Sequence, residues 1–265
     1  MYPFVYYVAQ YRRKVVSANL AGAFPGAVEA ELRKTEKRFY RYLCDLIVET
    51  IKTRTIPLAT LSQRMQIRNP DLVNELFRRG KSVIVVTQHY GNWEWLIHIA
   101  HYLEEHAYIV YKPIENEVFE KYMNRVRERF GGETISMSLA LRKMIEAEQK
   151  QRPVLLWLAA DQAPPWNHQF WTTFLNRETM FFTGPAKLAH RFNHAVVFQQ
   201  IRPIRRGYYE TWFELITDNP RELSIEEMMT TYIRMAESFI RKDPAFYLWS
   251  HRRWKYRRSE NLPIY

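Results

Sequence analysis

His89, Gly91, Asn92 and Glu94 fall within six positions, in the stretch HYGNWE. An imidazole can take a proton from a hydroxyl, and a carboxylate can fix its tautomer and stabilise the imidazolium that forms. The spacing alone is weak, because eight histidines and 28 acids give about one such pair by chance. The surroundings carry more. KSVIVVT, residues 81–87, is β-branched and nearly all apolar, the pattern of a buried parallel strand. His89 therefore follows the carboxyl end of a strand, where α/β sheets display functional groups. Gly91 permits a tight turn or a close backbone approach to a ligand. Asn92 is a candidate helix N-cap, which puts Glu94 in the first helical turn. A strand-to-helix turn can fold Glu94 back onto His89, whereas on a straight helix the two would sit roughly 140° apart. No GxSxG elbow is present, and the single cysteine, Cys44, reads as a core residue of a helix. Without a protein nucleophile, the pair suits direct attack by a substrate hydroxyl. The competing reading is a capped helix start with a surface histidine.

Other elements must hold this stretch in place. Apolar residues recur at three and four over 28–54 and again over 58–79, predicting two helices, the second stopped by Gly80. A helix is predicted over Asn92–Glu105, a strand at 107–113, a helix at 115–130, a short strand at ETIS and a helix from Ser138 to about Lys150. PVLLWLAAD, 153–161, reads as a third buried strand. TGPAKLAHRF, 183–192, opens a helix, residues 195–203 and 208–216 read as a hairpin, and 224–242 as a last helix. Strands alternating with helices predict an α/β fold with a mixed, mainly parallel central sheet flanked by helices and preceded by a helical N-terminal segment. No linker is visible, so one domain over 1–265 is expected, with residues 1–80 membrane-proximal and 81–255 forming the catalytic core.

The net charge of +11 points to an acidic partner: nucleic acid, an anionic membrane or an acidic carrier protein. No apolar run is long enough to span a bilayer. YPFVYYVAQYRRKVV, aromatic and then abruptly basic, reads either as the end of a membrane-associated helix with a positive flank or as an ordinary amphipathic first helix. The basic, Trp-containing tail WSHRRWKYRR suits a phospholipid headgroup layer, or stacking on RNA. Two histidine pairs, His98/His101 and His190/His194, lack the glutamate of HExxH and an evident third ligand, so no metal is expected.

HYGNWE resembles the HFGNWE block of the bacterial lipid A biosynthesis acyltransferases, within the wider glycerolipid and lysophospholipid acyltransferase superfamily. AADQ at 159–162, FLNRETMFFTGPAKLA at 174–189, YLWSHRRWK at 247–255, and YKPIEN at 111–116 with RVRERFG at 125–131 resemble further blocks of that family, in order. YRRKVVSANLAGAFP at 11–25 is similar to its post-anchor segment. The resemblance implies transfer of an acyl chain from an acyl-carrier-protein thioester to a hydroxyl of a lipid A precursor. His89 would be the general base and Glu94 its orienting partner. The thioester is a co-substrate, and no cofactor is implied.

Several further residues are candidates. Backbone N–H groups at the helix start after Gly91, with the Asn92 side chain as a second choice, could hold the oxyanion. Arg127, Arg129 and Lys112 could grip a glucosamine phosphate or phosphopantetheine, or lie on a solvated face. Asp161 and Gln162 could bind the acceptor sugar or order a loop. Thr183 could cap its helix or help hold an anion. Trp95, Leu96 and Ile99 could line an acyl groove or belong to the core. The expected partners are acyl carrier protein, a lipid acceptor and an anionic membrane surface, without nucleic acid. The expected location is the cytoplasmic face of the bacterial inner membrane, held peripherally or by an anchor outside this chain. The alternatives are the same chemistry on a lysophospholipid, an aminolipid or a lipid-like pigment precursor, a basic nucleic-acid-binding protein, and a membrane scaffold without catalysis.

Overall fold

The computed structural model of the chain describes residues 1–165 and 170–265. Its centre is a seven-stranded sheet. In chain order the strands are β1 (Met65–Ile67), β2 (Val83–Thr87), β3 (His106–Tyr111), β4 (Glu133–Ser136), β5 (Val154–Ala159), β8 (Ala195–Arg205) and β9 (Tyr208–Thr217). The spatial order is β1-β9-β8-β2-β5-β3-β4, and every neighbouring pair is parallel except the hairpin β8–β9. A separate antiparallel hairpin joins β6 (Phe170–Phe174) to β7 (Arg177–Phe181). The expected mixed, mainly parallel sheet is therefore present.

All five residues of β2 are buried, as are Val154–Leu158 of β5. Central strands covered on both faces need apolar side chains throughout, which is why both segments read as continuous apolar runs. The register sets Thr87 opposite Ala159. Two residues beyond each lie His89 and Asp161, so two adjacent central strands deliver their loops to one place at the sheet's carboxyl edge.

The flanking helices are α4 (Asp71–Arg78), α5 (Glu117–Glu128), α6 (Ala140–Lys150), α7 (Gly184–Phe192) and α8 (Ile225–Lys242). In α8, Ser224 and Glu227 form a reciprocal capping box, and Met228, Met229, Tyr232, Ile233, Ala236 and Ile240 form one buried stripe. The Tyr232 hydroxyl donates to the Thr87 carbonyl at 3.2 Å, tying α8 to the end of β2. The N-terminal segment supplies α1 (Arg13–Ala23), α2 (Glu29–Lys52) and α3 (Leu58–Arg64).

Two predictions need correction. The helix expected over 58–79 is broken: α3 and α4 are separated by β1, which pairs with β9 at the sheet edge. Arg68 N–H donates to Thr211 O at 2.9 Å, and the Asn69 side chain brackets Phe213 at both N–H (2.8 Å) and carbonyl (2.9 Å). The edge of β9 thus offers partners that local helix periodicity does not reveal. The opening of the block at 174–189, for which no strand is predicted, runs through the turn and second strand of the β6–β7 hairpin to Phe181. Leu175 and Asn176 both take positive φ, 51° and 60°, as a two-residue hairpin turn with matching twist requires.

Candidate active site

The loop after β2 is held by buried contacts. Gly91 has φ +54°, and a Cβ there would meet the Ile201 side chain at 3.1 Å. Its N–H donates to Phe246 O (3.0 Å) and its carbonyl accepts from the Tyr42 hydroxyl (2.7 Å). Asn92 is fully buried and caps the 3₁₀ helix Trp93–Tyr102, its side-chain oxygen accepting from Trp95 N–H at 3.1 Å. Its amide nitrogen donates to Glu49 of α2 at 2.6 Å, and the Tyr209 hydroxyl donates to the same carboxylate oxygen at 2.9 Å. Burial raises the Glu49 pKa, against the pull of those two donors. The Asn92 side chain and the Gly91 N–H are thereby committed to the scaffold. This corrects the expectation that the Asn92 side chain is available as an oxyanion donor.

Asp161 grips His89 twice. One carboxylate oxygen lies 2.7 Å from Nδ1, and the other accepts the His89 backbone N–H at 3.1 Å. The Asp161 side chain is 2% exposed and the His89 side chain 18%. Burial works against the Asp161 carboxylate. His89, through its charge and both hydrogen bonds, and then Arg253 outweigh it and hold the pKa below the usual range. An ionised Asp161 at Nδ1 puts the imidazole proton there and leaves the lone pair on Nε2. The Gln162 amide nitrogen lies 3.1 Å from that Nε2, in place to donate to it. Trp93 packs edge-on against the imidazole at 5.1 Å. A base with a fixed tautomer and a partly open Nε2 can abstract a hydroxyl proton.

Glu94 does not occupy the position expected for it. Both its oxygens accept from Arg127 of α5, at 3.1 Å from Nε and 2.8 Å from Nη2. The partners are 13% and 17% exposed, so this is a nearly buried, two-pronged ion pair. Burial disfavours the Glu94 carboxylate, yet Arg127, with a smaller contribution from His89, keeps its pKa lowered. The contact to Nδ1 assigned to Glu94 on sequence is made by Asp161. A fork on an adjacent helix satisfies Glu94 better than one imidazole nitrogen can. Arg127 is likewise engaged inside the protein.

The C-terminal tail closes the site, a role the sequence did not disclose. Leu248 N–H donates to His89 O at 3.0 Å, and Tyr90 and Tyr247 form an antiparallel bridge. Asn19 of α1 donates to the carbonyls of Trp249 (2.8 Å) and His251 (2.9 Å). Ala163 N–H donates to His251 Nε2 at 3.1 Å, and burial pushes the His251 pKa down to about 4. Arg253, 3% exposed, lies 4.4 Å over the Phe181 ring. Among the described residues, no acceptor meets its Nε or Nη2. Trp249 is fully buried. Through Leu248, Trp249, His251 and Arg253 the tail clamps Asp161 and His89 from inside, while Arg252, Lys255 and Arg257 of the same stretch are exposed. The only sequence signal was its place in a family block.

The remaining candidates lie apart from this cluster. Arg129 Nη1 donates to Thr53 O at 2.8 Å and also to Ile56 O, securing the end of α5 to the chain after α2. Lys112 is exposed on the loop after β3. Thr183 is at the N-cap of α7 without a capping hydrogen bond from its side chain. Trp95, Leu96 and Ile99 are core residues, at most 2% exposed. An apolar cavity of about 300 Å³ opens instead among Val110, Leu156, Leu158, Met137, Phe182 and Leu188. Val110, Met137 and Leu158 all lie at the carboxyl edge of the sheet, the edge that carries His89 and Asp161.

The match that decides the family covers nearly the whole chain: the model of the bacterial lipid A biosynthesis acyltransferases fits residues 3–256. The chain belongs to that family. Membership gives it an acyltransferase activity of the lipid A type in general terms, with an acyl donor and a lipid acceptor. No curated protein sequence matches the chain. No helix among the described residues is long and apolar enough to cross a membrane.

Proposed function

We propose that this acyltransferase moves a fatty acyl chain from an acyl-carrier-protein thioester to a hydroxyl of a lipid A precursor, at the cytoplasmic face of the inner membrane. The observation that carries the reading is the contact between His89 Nδ1 and buried Asp161 at 2.7 Å, which favours the proton on Nδ1 and Nε2 as the base. Nε2 takes the acceptor hydroxyl's proton as its oxygen bonds to the thioester carbonyl carbon. Asp161 stabilises the resulting imidazolium. The C–S bond then breaks, and the proton passes to the departing thiolate. The tetrahedral oxyanion is met by N–H groups at the start of the 3₁₀ helix Trp93–Tyr102. Gln162 moves from Nε2 to the acceptor hydroxyl. No acyl-enzyme forms, and these steps call for no cofactor.

The apolar cavity beside Val110 and Leu158 is suited to the acyl chain. Lys112 is a candidate contact for a sugar phosphate or phosphopantetheine. The Glu94–Arg127 pair acts as a rigid wall beside the imidazole. The test is product analysis by mass spectrometry, with each of two donors, acyl carrier protein and coenzyme A thioesters. Each donor is offered a tetra-acylated lipid A precursor or a lysophospholipid. The reading expects the lipid A precursor to gain one acyl chain, from the carrier-protein thioester preferentially. Acylation of the lysophospholipid alone would refute the acceptor, and preference for coenzyme A would refute the donor.

A further inference from the structure

The helices that grip the catalytic loop from inside carry an unusual outer face. On α2, Ile47, Val48 and Ile51 are exposed, Ile51 by 62%. On α5, Val118 is 80% exposed and Phe119 51%. At the N-terminus, Met1, Phe4, Tyr7 and Val8 are all more than half exposed. Two clefts join these segments. Val48 lines a cleft together with Met1 and Tyr2. Just past the other end of α2, Arg54 shares a second cleft of about 450 Å³ with Val118, Tyr122 and Val126.

Lys121, Arg125 and Arg129 complete the lining of that second cleft, and no acid contributes to it. Arg54 lies 5.8 Å from the centre of the Tyr122 ring. Arg54 and Arg125 have no ion pair among the described residues, and Lys121 reaches the exposed Glu117 only at 4.0 Å. Apolar side chains left in water over three chain segments, beside a cleft lined by cations, mark a surface built for contact. That combination matches an anionic bilayer, where apolar residues enter the headgroup–acyl boundary and Lys and Arg meet lipid phosphates.

We propose that this apolar and basic surface docks on an anionic phospholipid bilayer, with Ile51, Val118 and Phe119 inserted and Arg54, Lys121 and Arg125 on the phosphates. The proposal rests on the membrane part of the function proposed above, names the face that serves it, and is independent of the chemistry at His89. An acidic carrier protein is the competing occupant of the basic cleft. The exposed apolar residues outside that cleft, Phe4, Tyr7, Val8, Ile47 and Ile51, favour the bilayer, because a carrier protein held in the basic cleft would leave them uncovered. Glu49 of α2 holds Asn92, and Arg127 of α5 holds Glu94, so docking through these helices brings the catalytic loop to the membrane that holds a lipid acceptor.

Cosedimentation with vesicles tests this, using phosphatidylcholine alone and phosphatidylcholine mixed with phosphatidylglycerol. The protein should sediment mainly with the anionic vesicles. Arg54→Glu/Arg125→Glu should weaken that binding about tenfold or more, and Val118→Ser/Phe119→Ser should weaken it on both vesicle types. Thermal melts check that these surface variants remain folded. His89→Ala should sediment like the parent protein even if acyl transfer is never observed, which separates this proposal from the catalytic one. Unchanged sedimentation of both double variants would overturn it. So would absence of vesicle binding while acyl carrier protein binds the parent and not Arg54→Glu/Arg125→Glu.

Discussion

Replacing Asp161 with asparagine tests the catalytic geometry with little change of shape. Asparagine can keep the acceptor for the His89 backbone N–H, now at 3.1 Å from a carboxylate oxygen. Its amide group then faces Nδ1, where the carboxylate oxygen sits at 2.7 Å. An N–H donor at that position favours the tautomer with its proton on Nε2, which removes the base. The negative charge that stabilises the imidazolium is lost as well, from a site where the side chain is 2% exposed and water screens little. General-base catalysis contributes about 10²- to 10⁴-fold, and the equivalent change in a serine-protease triad costs about 10⁴. A fall in kcat of about 10³-fold is therefore expected, or about 4 kcal/mol of transition-state stabilisation. The assay is single-turnover acyl transfer, with circular dichroism to confirm the fold. Glu94→Gln serves as the comparison, and its defect should include stability, because Arg127 loses its partner. A folded Asp161→Asn protein within tenfold of the parent rate would refute the assignment. So would a Glu94→Gln protein that folds normally and has by far the larger kcat defect.

Arg127→Ala strands the Glu94 carboxylate at a nearly buried site and should cost about 3–5 kcal/mol in urea unfolding. Adding Glu94→Gln should restore part of that loss, and an additive double mutant would argue against the pair. Gly91→Ala forces a side chain into the left-handed region and against Ile201, and a loss of about 1–2 kcal/mol or more is expected from thermal melts. Burial pushes the pKa of both His98 and His251 down to about 4 from 6.5. The unfolded chain therefore takes up protons that the folded one refuses as pH falls from about 6.5 to 4, and stability declines across that window by at most about 3 kcal/mol for each histidine. The lowered pKa values of Asp161 and Glu94 add losses with the same sign at the acid end of the range. Urea melts across the window should show this slope, flattened in His98→Gln.

The sequence disclosed what local pattern determines. The buried strands β2 and β5, the β8–β9 hairpin, α8 and the position of His89 at a strand end all follow from apolar runs, periodicity and turn residues. Partnerships set by register were out of reach. His89 and Asp161 are 72 residues apart and meet only because β2 and β5 are neighbours with Thr87 opposite Ala159. Nearness in sequence favoured Glu94, but a guanidinium 33 residues away takes that carboxylate. β1 was hidden for the same reason, since its partner strand lies more than 140 residues further on. Composition also left the tail undivided, with Trp249 and Arg253 inside and Arg252, Lys255 and Arg257 exposed. Trp and Arg together describe a membrane interface as readily as an interior clamp, and only packing shows Trp249 and Arg253 to be inside.

The most direct measurement is acyl transfer from a carrier-protein thioester to a tetra-acylated lipid A precursor by the parent protein and His89→Ala, side by side. Intact-protein mass spectra are recorded in the same samples before acceptor is added. The account predicts one added acyl chain on the acceptor with the parent protein, essentially none with His89→Ala, and no acyl adduct on either protein. Undiminished transfer by a folded His89→Ala, or a kinetically competent acyl adduct on the parent protein, would contradict it.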